Sequence, residues 1–320
     1  GNFNKYLSVL ASYIFYMKVL LLLPLLFMLL TTPVSGQNSK LADQYYLEGE
    51  YQKAGDLYLK LHETAKKNGN FIYFNKYIEC LLALREYDQA EKEIQAQMKA
   101  QPDDFSMLVT LGNVQERIGN YEAAQASYRM AIEKLPARID AITRLGNAFL
   151  SQAKYDEAIV TYEKGEKLLD KPGIFSYQLA DLYKRNGDIS KMIEQYLYSL
   201  QSSPDRLENI QNMLQRSLKA EDYDELLSQL YVFIQDYPET DYFPEMLAWT
   251  FMQQKDYSKA MRQAKALDKR MGENGLRVYR LASIAANDKD YATAIDGFEY
   301  ILTSQSPGSP YYLEAKRASL

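Results

Sequence analysis

The sequence predicts an all-α fold, an α-solenoid of stacked helical hairpins, and three columns of residues carry that prediction. Tyr51, Tyr87, Tyr121, Tyr155, Ile189, Tyr223, Tyr257 and Tyr291 stand 36 residues apart once and 34 apart six times. Three residues after each anchor comes Ala54, Ala90, Ala124, Ala158, Met192, Leu226, Ala260 or Ala294. Seven after comes Tyr58, Ile94, Tyr128, Tyr162, Tyr196, Leu230, Ala264 or Phe298. A fixed period of about 20–50 residues marks an array in which each unit buries its apolar face only against its neighbours.

Within a period the apolar spacing is helical. In the third unit Leu108, Leu111, Gly112 and Gln115 precede a turn at Gly119-Asn120, and Tyr121, Ala124, Tyr128 and Ala131 then share one face at steps of three and four. A proline fifteen residues after the anchor, at Pro102, Pro136, Pro204 and Pro238, cannot continue the second helix. Each unit therefore reads as helix, short turn, helix. The larger side chains Met192, Leu214 and Leu226, where small ones are expected, are predicted to push the helices of units five and six apart or to demand compensation.

Composition excludes several kinds of chemistry. The chain has 320 residues, 47% hydrophobic and 25% charged, with a net charge of −5 and no block of Lys or Arg, a poor balance for nucleic acid as partner. One Cys and one His allow neither an internal disulfide nor a zinc set, and leave a nucleophilic triad only if His62 serves. There is no Gly-rich phosphate loop, and the acidic pairs Asp103-Asp104 and Glu221-Asp222 sit at turns rather than as opposed carboxylates. The expectation is a chain without catalytic, cofactor-binding or metal-binding residues, not an enzyme. Cys80 reads as a small buried hydrophobe, and His62, in LKLHETAKK, as a solvated helix residue.

The N-terminus carries an address. Met17-Lys18 is followed by an apolar core from Val19 to Leu30 and then TTPVSGQ, the pattern of a secretory signal peptide over residues 17–36, cleaved between Gly36 and Gln37. Residues 1–16 read as an upstream segment, not necessarily translated. The competing reading starts at Tyr6 and makes one longer membrane helix interrupted by Lys18, which would be the chain's only link to a membrane. Export, into the periplasm in the first instance, is the expected location. Residues 37–306 hold eight repeats, and 307–320 open a ninth that the chain leaves incomplete.

These residues resemble a known family. Leu111-Gly112, Gly119, Tyr121, Ala124, Tyr128, Ala131 and Pro136 look like the tetratricopeptide repeat signature position for position, as do Leu145-Gly146, Phe149, Tyr155, Ala158 and Tyr162 one unit later. The resemblance is to exported bacterial members of the family. It implies a right-handed superhelix whose concave groove is lined by the first helix of each hairpin. Residues eight and twelve before each anchor then point into that groove, Val109, Gln211 and Glu245 among them. The anchor tyrosines and the rings in the +7 column fill the gaps between hairpins.

The resemblance also implies a protein or peptide partner held in the groove. The candidate residues are Asn113 and Asn147 with Arg117, Arg144 and Arg185 nearby, and an aromatic set of Tyr177, Tyr242, Trp249, Met252 and Tyr279. Asn side chains there would hold a peptide backbone and the arginines would receive carboxylates; Trp249, the only Trp, would be an interface anchor. Of a five-residue clamp for a C-terminal carboxylate only Asn113 fits, while Val109, Arg144, Ile174 and Gln178 depart, so no such clamp is expected. The alternative reading is the extracytoplasmic docking region of a longer membrane-anchored signalling protein, motivated by the unfinished ninth repeat.

Overall fold

The computed structural model describes residues 34–66 and 72–318. The apolar segment Val19–Leu30 lies outside them. The described residues hold seventeen α-helices, in chain order. Hairpins one to four are α1 (Val34–Leu47) with α2 (Tyr51–Lys66), α3 (Ile72–Ala83) with α4 (Tyr87–Ala100), α5 (Ser106–Arg117) with α6 (Tyr121–Glu133), and α7 (Ile139–Ser151) with α8 (Tyr155–Leu169). Hairpins five to eight are α9 (Ser176–Asn186) with α10 (Ile189–Ser202), α11 (Leu207–Ser217) with α12 (Tyr223–Asp236), α13 (Tyr242–Gln253) with α14 (Tyr257–Met271), and α15 (Leu276–Asn287) with α16 (Tyr291–Ser304). A short α17 (Tyr312–Ala318) follows. The second helix of all eight hairpins starts on the anchor residue of its repeat, as the period predicts.

Two compact units divide between Met130 and Ala131. In the first, Ala42, Tyr58, Phe74, Ile78, Ile94 and Val114 belong to one buried cluster. In the second, both columns behind the anchors are fully or nearly fully buried, from Ala158 and Tyr162 through Ala294 and Phe298. No helix among the described residues is long and apolar enough to cross a membrane.

The turns share one construction. Two residues before the anchor, the backbone is left-handed at Gly49, Arg85, Gly119, Ala153, Gly187, Lys255 and Lys289. In each case the next N–H reaches five residues back into the first helix, as from Asn120 to the Gln115 carbonyl at 2.8 Å and from Lys154 to Phe149 at 3.0 Å. This is a Schellman ending, which satisfies the last carbonyls of the first helix. The residue just before the anchor then caps the second helix: Asn120, Asp188, Asp256 and Asp290 accept from the N–H three residues on, at 3.1–3.2 Å. Repeat six is built differently, with 3₁₀ turns at Pro204–Arg206 and Ala220–Asp222 on either side of α11.

Within a hairpin, the spacing of the two helices is set by a small residue nine before the anchor and a ring seven after it. A Cβ placed on Gly112 would lie 2.3 Å from the Tyr128 ring, and one on Gly146 would lie 2.5 Å from the Tyr162 ring. The tyrosine face therefore rests on bare backbone, as close packing of an interior requires. In repeats one and four its hydroxyl is bonded to the residue one place on: Tyr58 donates to Asp43 at 2.6 Å and Tyr162 to Asn147 at 3.3 Å. By register the other repeats hold Ala42 with Tyr58, Ala180 with Tyr196, Ala282 with Phe298, and two larger aliphatics in Ile78 with Ile94 and Leu214 with Leu230. Repeat six thus accommodates its larger residues by losing the ring, and Leu214, Leu226 and Leu230 are all fully buried.

Three expectations are corrected. His62 is 3% exposed, with its ring 5.2 Å from Phe74. It lies four residues after Tyr58, on the same buried stripe, and position outweighs polarity. Val109 is 1% exposed, inside the core rather than on a groove. The anchors do not all pack: Tyr121 and Tyr291 are 66% and 62% exposed, whereas Tyr223 and Tyr257 are buried. As the first residue of its helix, an anchor points away from the hairpin unless a neighbouring hairpin covers it.

Two measurements check this account. Gly146→Ala should destabilise the chain by about 1–3 kcal/mol, because the new methyl collides with the Tyr162 ring. In urea unfolding, Gly146→Ala combined with Tyr162→Leu should cost less than the sum of the single changes. Ala153→Gly should stabilise by up to about 1 kcal/mol, since glycine adopts the left-handed turn without the Cβ penalty. Its unfolding midpoint should rise.

Candidate functional site

The interruption of the small-residue and ring pairing in repeat seven makes the site. There the paired positions are Ala248 and Ala264, both small, so nothing from the chain's own column fills the place that Tyr162 fills in repeat four. Both alanines line a cleft of about 300 Å³. The position that accepts the ring hydroxyl in repeats one and four is Trp249 in repeat seven. Trp249 is half-buried and leans toward Tyr223 of the preceding repeat, with ring centroids 6.3 Å apart, while Ala264 itself is buried at the cleft wall.

The first helices of three consecutive repeats wall this cleft. Gln211 comes from α11, Glu245, Trp249 and Met252 from α13, and Leu276, Arg277, Arg280, Leu281 and Ile284 from α15. The floor is apolar. One edge is ionic: Arg277 donates to both oxygens of Glu273 at 2.8 Å each, and its third nitrogen lies 3.1 Å from Glu245. The fork geometry suits a guanidinium between carboxylates. It holds the Glu273 carboxyl below the usual carboxylate range through those hydrogen bonds, against the opposing effect of burial. Arg280, one turn further along α15, is exposed; it adds a long-range pull on Glu273 but makes no hydrogen bond or ion pair among the described residues.

The loop that positions α15 is itself anchored by a buried carboxylate. Asp268, at the end of α14, accepts from the Gly275 N–H at 2.7 Å and from the Tyr300 hydroxyl at 3.1 Å. Gly275 is left-handed at φ +87° and Gly272 at +67°, which lets the chain reverse within a few residues. Arg277 and Arg280 are thereby held on the cleft side of α15.

The sequence-predicted residues fall into separate places. Trp249 and Met252 come together in the cleft. Tyr242 does not line it; its ring packs edge-on against Phe243 at 4.6 Å, and burial raises its hydroxyl pKa. Tyr279 also turns away, stacking on Tyr311 at 5.6 Å and lying 6.0 Å from Phe298. Tyr177 donates to Asn209 at 3.4 Å and carries the Arg206 guanidinium over its ring at 5.1 Å. Asn147 has its carbonyl oxygen engaged by Tyr162. Arg144 pairs with Asp140 at 3.4 Å and Arg185 with Asp181 at 2.8 Å, so both arginines meet carboxylates of their own helices. Asn113 and Arg117 lie one turn apart on α5, half-buried and exposed respectively, in the first unit.

Sequence reasoning missed Ala264, Glu273, Arg277, Arg280 and Ile284. One signal was available: Ala264 stands in the column that every other repeat fills with a ring or a branched aliphatic. A second hollow, with Glu163, Glu166 and Asp170 on its wall, is structural in its carboxylates. Glu166 accepts from the Phe175 N–H at 2.9 Å and Glu163 from the Tyr183 hydroxyl at 2.7 Å.

The ionic edge yields a pH prediction. Glu273 is depressed on folding, so the stability it contributes is present above the unfolded carboxylate pKa and lost as pH falls through the folded one. The advantage of the wild type over Glu273→Gln should be complete at neutral pH and shrink as the pH falls below the ordinary carboxylate range. Urea midpoints taken across that range would show it.

Comparison with known proteins agrees with the repeat register. Residues 81–139 and 139–168 match family models described as tetratricopeptide repeat. The TPR repeat-containing protein MJ1428 of Methanocaldococcus jannaschii is 29% identical over 162 residues, covering 50% of this chain and 28% of that protein. The chain thus spans less than a third of that relative's length. Among solved structures, the thermophilic TPR protein TTC0263 of Thermus thermophilus is 18% identical with a TM-score of 0.31, covering 57% of this chain and 98% of its own. The TPR2AB domain of yeast Sti1, solved in a complex with pHSP90, is 18% identical with a TM-score of 0.27, covering 81% and 98%. Residues 81–168 thus match tetratricopeptide repeat models, and all eight hairpins keep the register of that stretch.

Proposed function

We propose that this chain is a non-enzymatic interaction scaffold that holds a segment of a partner protein in the cleft of repeats six to eight. Repeats of this family commonly mediate protein–protein interaction. The observation that carries the reading to a place is the cleft itself: an apolar floor left open between α11, α13 and α15, with a half-buried Trp at its side. Apolar pockets with an aromatic anchor and a polar rim are where interface energy concentrates. We further propose that the chain works outside the cytoplasm, in the periplasm of a bacterium. That reading is supported by Met17-Lys18, the apolar run Val19–Leu30 and the small residues before Gln37.

Cross-linked capture from envelope extract tests both parts, comparing the full chain with Trp249→Ala/Met252→Ala. The expected outcome is one protein captured by the wild type, with recovery reduced about tenfold or more in the double variant. Equal capture by both would place binding elsewhere on the chain. Mass measurement of the chain recovered from the envelope should find Gln37 as the first residue; an intact segment before it would overturn the cleavage.

A further inference from the structure

The cleft changes character along its length. Arg277, in the first turn of α15, meets Glu245, in the first turn of α13, at 3.1 Å, so the two helices lie side by side from their N-terminal ends. Together with Glu273 this pair makes an ionic end. Two turns further on, Met252 of α13 and Ile284 of α15 make an apolar end, with Trp249 between the two. Trp249 and Met252 are half-buried and Ile284 is 39% exposed, whereas Ala248, Ala264 and Leu281 are buried. The floor is closed, and an occupant lies on it without entering the hairpins.

The charges decide what kind of occupant fits. Arg277 and Arg280 stand against Glu245 and Glu273, so the four charged side chains of the cleft cancel. The three that pair are mostly covered, their side chains 21–31% exposed. A carboxylate brought alongside competes with Glu245 and Glu273 for the guanidinium, and an ammonium competes with Arg277 for the carboxylates. Either leaves a poorly hydrated charge without its partner, which is costly. A segment without charge leaves these pairs intact and covers the apolar end.

The dimensions decide its form. From Leu276 to Ile284 the lining runs about 12 Å along α15, a distance that about four extended residues cover. The volume of about 300 Å³ admits side chains but not a whole helix, which is roughly 10 Å across. In an extended segment alternate side chains point the same way.

Resting on the scaffold reading above, we infer that the cleft takes an uncharged, extended segment of the partner with apolar side chains at alternate positions. One of these side chains lies against Trp249 and the next against Met252 and Ile284. The following inward position, over the ionic end, is polar without charge. Acidic and basic segments are both rejected.

Four peptides, blocked at both ends, test it with the full chain. The first is Gln-Ser-Leu-Ser-Phe-Ser-Gln; two others carry Glu or Lys in place of both Gln residues, and the fourth carries Ala in place of Leu and Phe. Calorimetry gives affinities, and the lone Trp249 reports occupancy through its emission. The Gln form should bind about tenfold or more tightly than each of the other three and shift the emission to the blue. Ile284→Ser, at an exposed position, should keep a cooperative melt and lose that binding by about tenfold. Arg280→Gln leaves the cleft one negative charge in excess, and the Lys form should then bind about threefold or more tightly than the Glu form.

A Glu or Lys form that binds the wild type as tightly as the Gln form overturns the inference. So does an Ala form that matches it, or binding that Ile284→Ser leaves unchanged. Self-association in sedimentation that Ile284→Ser abolishes also overturns it, since the occupant would then be a second copy. The scaffold reading fails separately. Envelope capture that depends on Trp249 and Met252, with no peptide bound, leaves the scaffold standing and removes this segment chemistry. No capture by the wild type removes the scaffold, and the inference with it.

Discussion

The contact between a bare stretch of the first helix and a ring on the second is the constraint from which the rest of each hairpin follows. Where Tyr128 meets Gly112 or Tyr162 meets Gly146, there is no room for even a methyl group. Helices that close must be connected by a turn of a few residues. The chain meets that demand with one left-handed residue followed by a capping residue. The next repeat can begin only after the second helix ends, and the fixed spacing of the anchors follows. Period, turn and core are therefore one geometric requirement expressed three times. This is why changes in the small-residue column are answered in the ring column, as at Leu214 and Leu230.

The cleft lies where that column changes from a ring or a branched aliphatic to alanine. Repeat seven retains its Schellman turn at Lys255 and its cap at Asp256, so its helices are still set by the same devices. What differs is the column residue, Ala264, which is buried without a ring of its own. The Asp268 carboxylate fixes the loop before α15, and Arg277 ties α15 to Glu245 of α13. An unfilled apolar space is unfavourable in the free protein because its lining has lost packing partners.

Polar side chains are distributed by the same logic. Asp43 and Asn147 are acceptors for ring hydroxyls within their own hairpins, and Arg144 and Arg185 lie along their own helices beside Asp140 and Asp181. Residues that look free in a linear reading are thus engaged in holding the repeats. Arg280 differs because its helix offers no carboxylate one turn away in either direction: Leu276, Arg277, Ser283 and Ile284 occupy those positions.

The sequence by itself determined the architecture: the start of every second helix, the buried columns and the helical hairpin as unit. These depend on residues three, four and seven apart, whose neighbours on a helix are dictated by a period of about 3.6 residues. It did not decide which polar and aromatic residues meet. Tyr242, Trp249 and Tyr279 share a sequence neighbourhood, yet only Trp249 reaches the cleft, because a side chain's surroundings are set by the helices packed against it from other repeats. His62 shows the same limit, its polarity overruled by the stripe it occupies. Ala264 is the intermediate case. Its oddity was legible in the column, but that it lies at the wall of a cleft depends on where Trp249 and α15 come to rest, which packing alone decides.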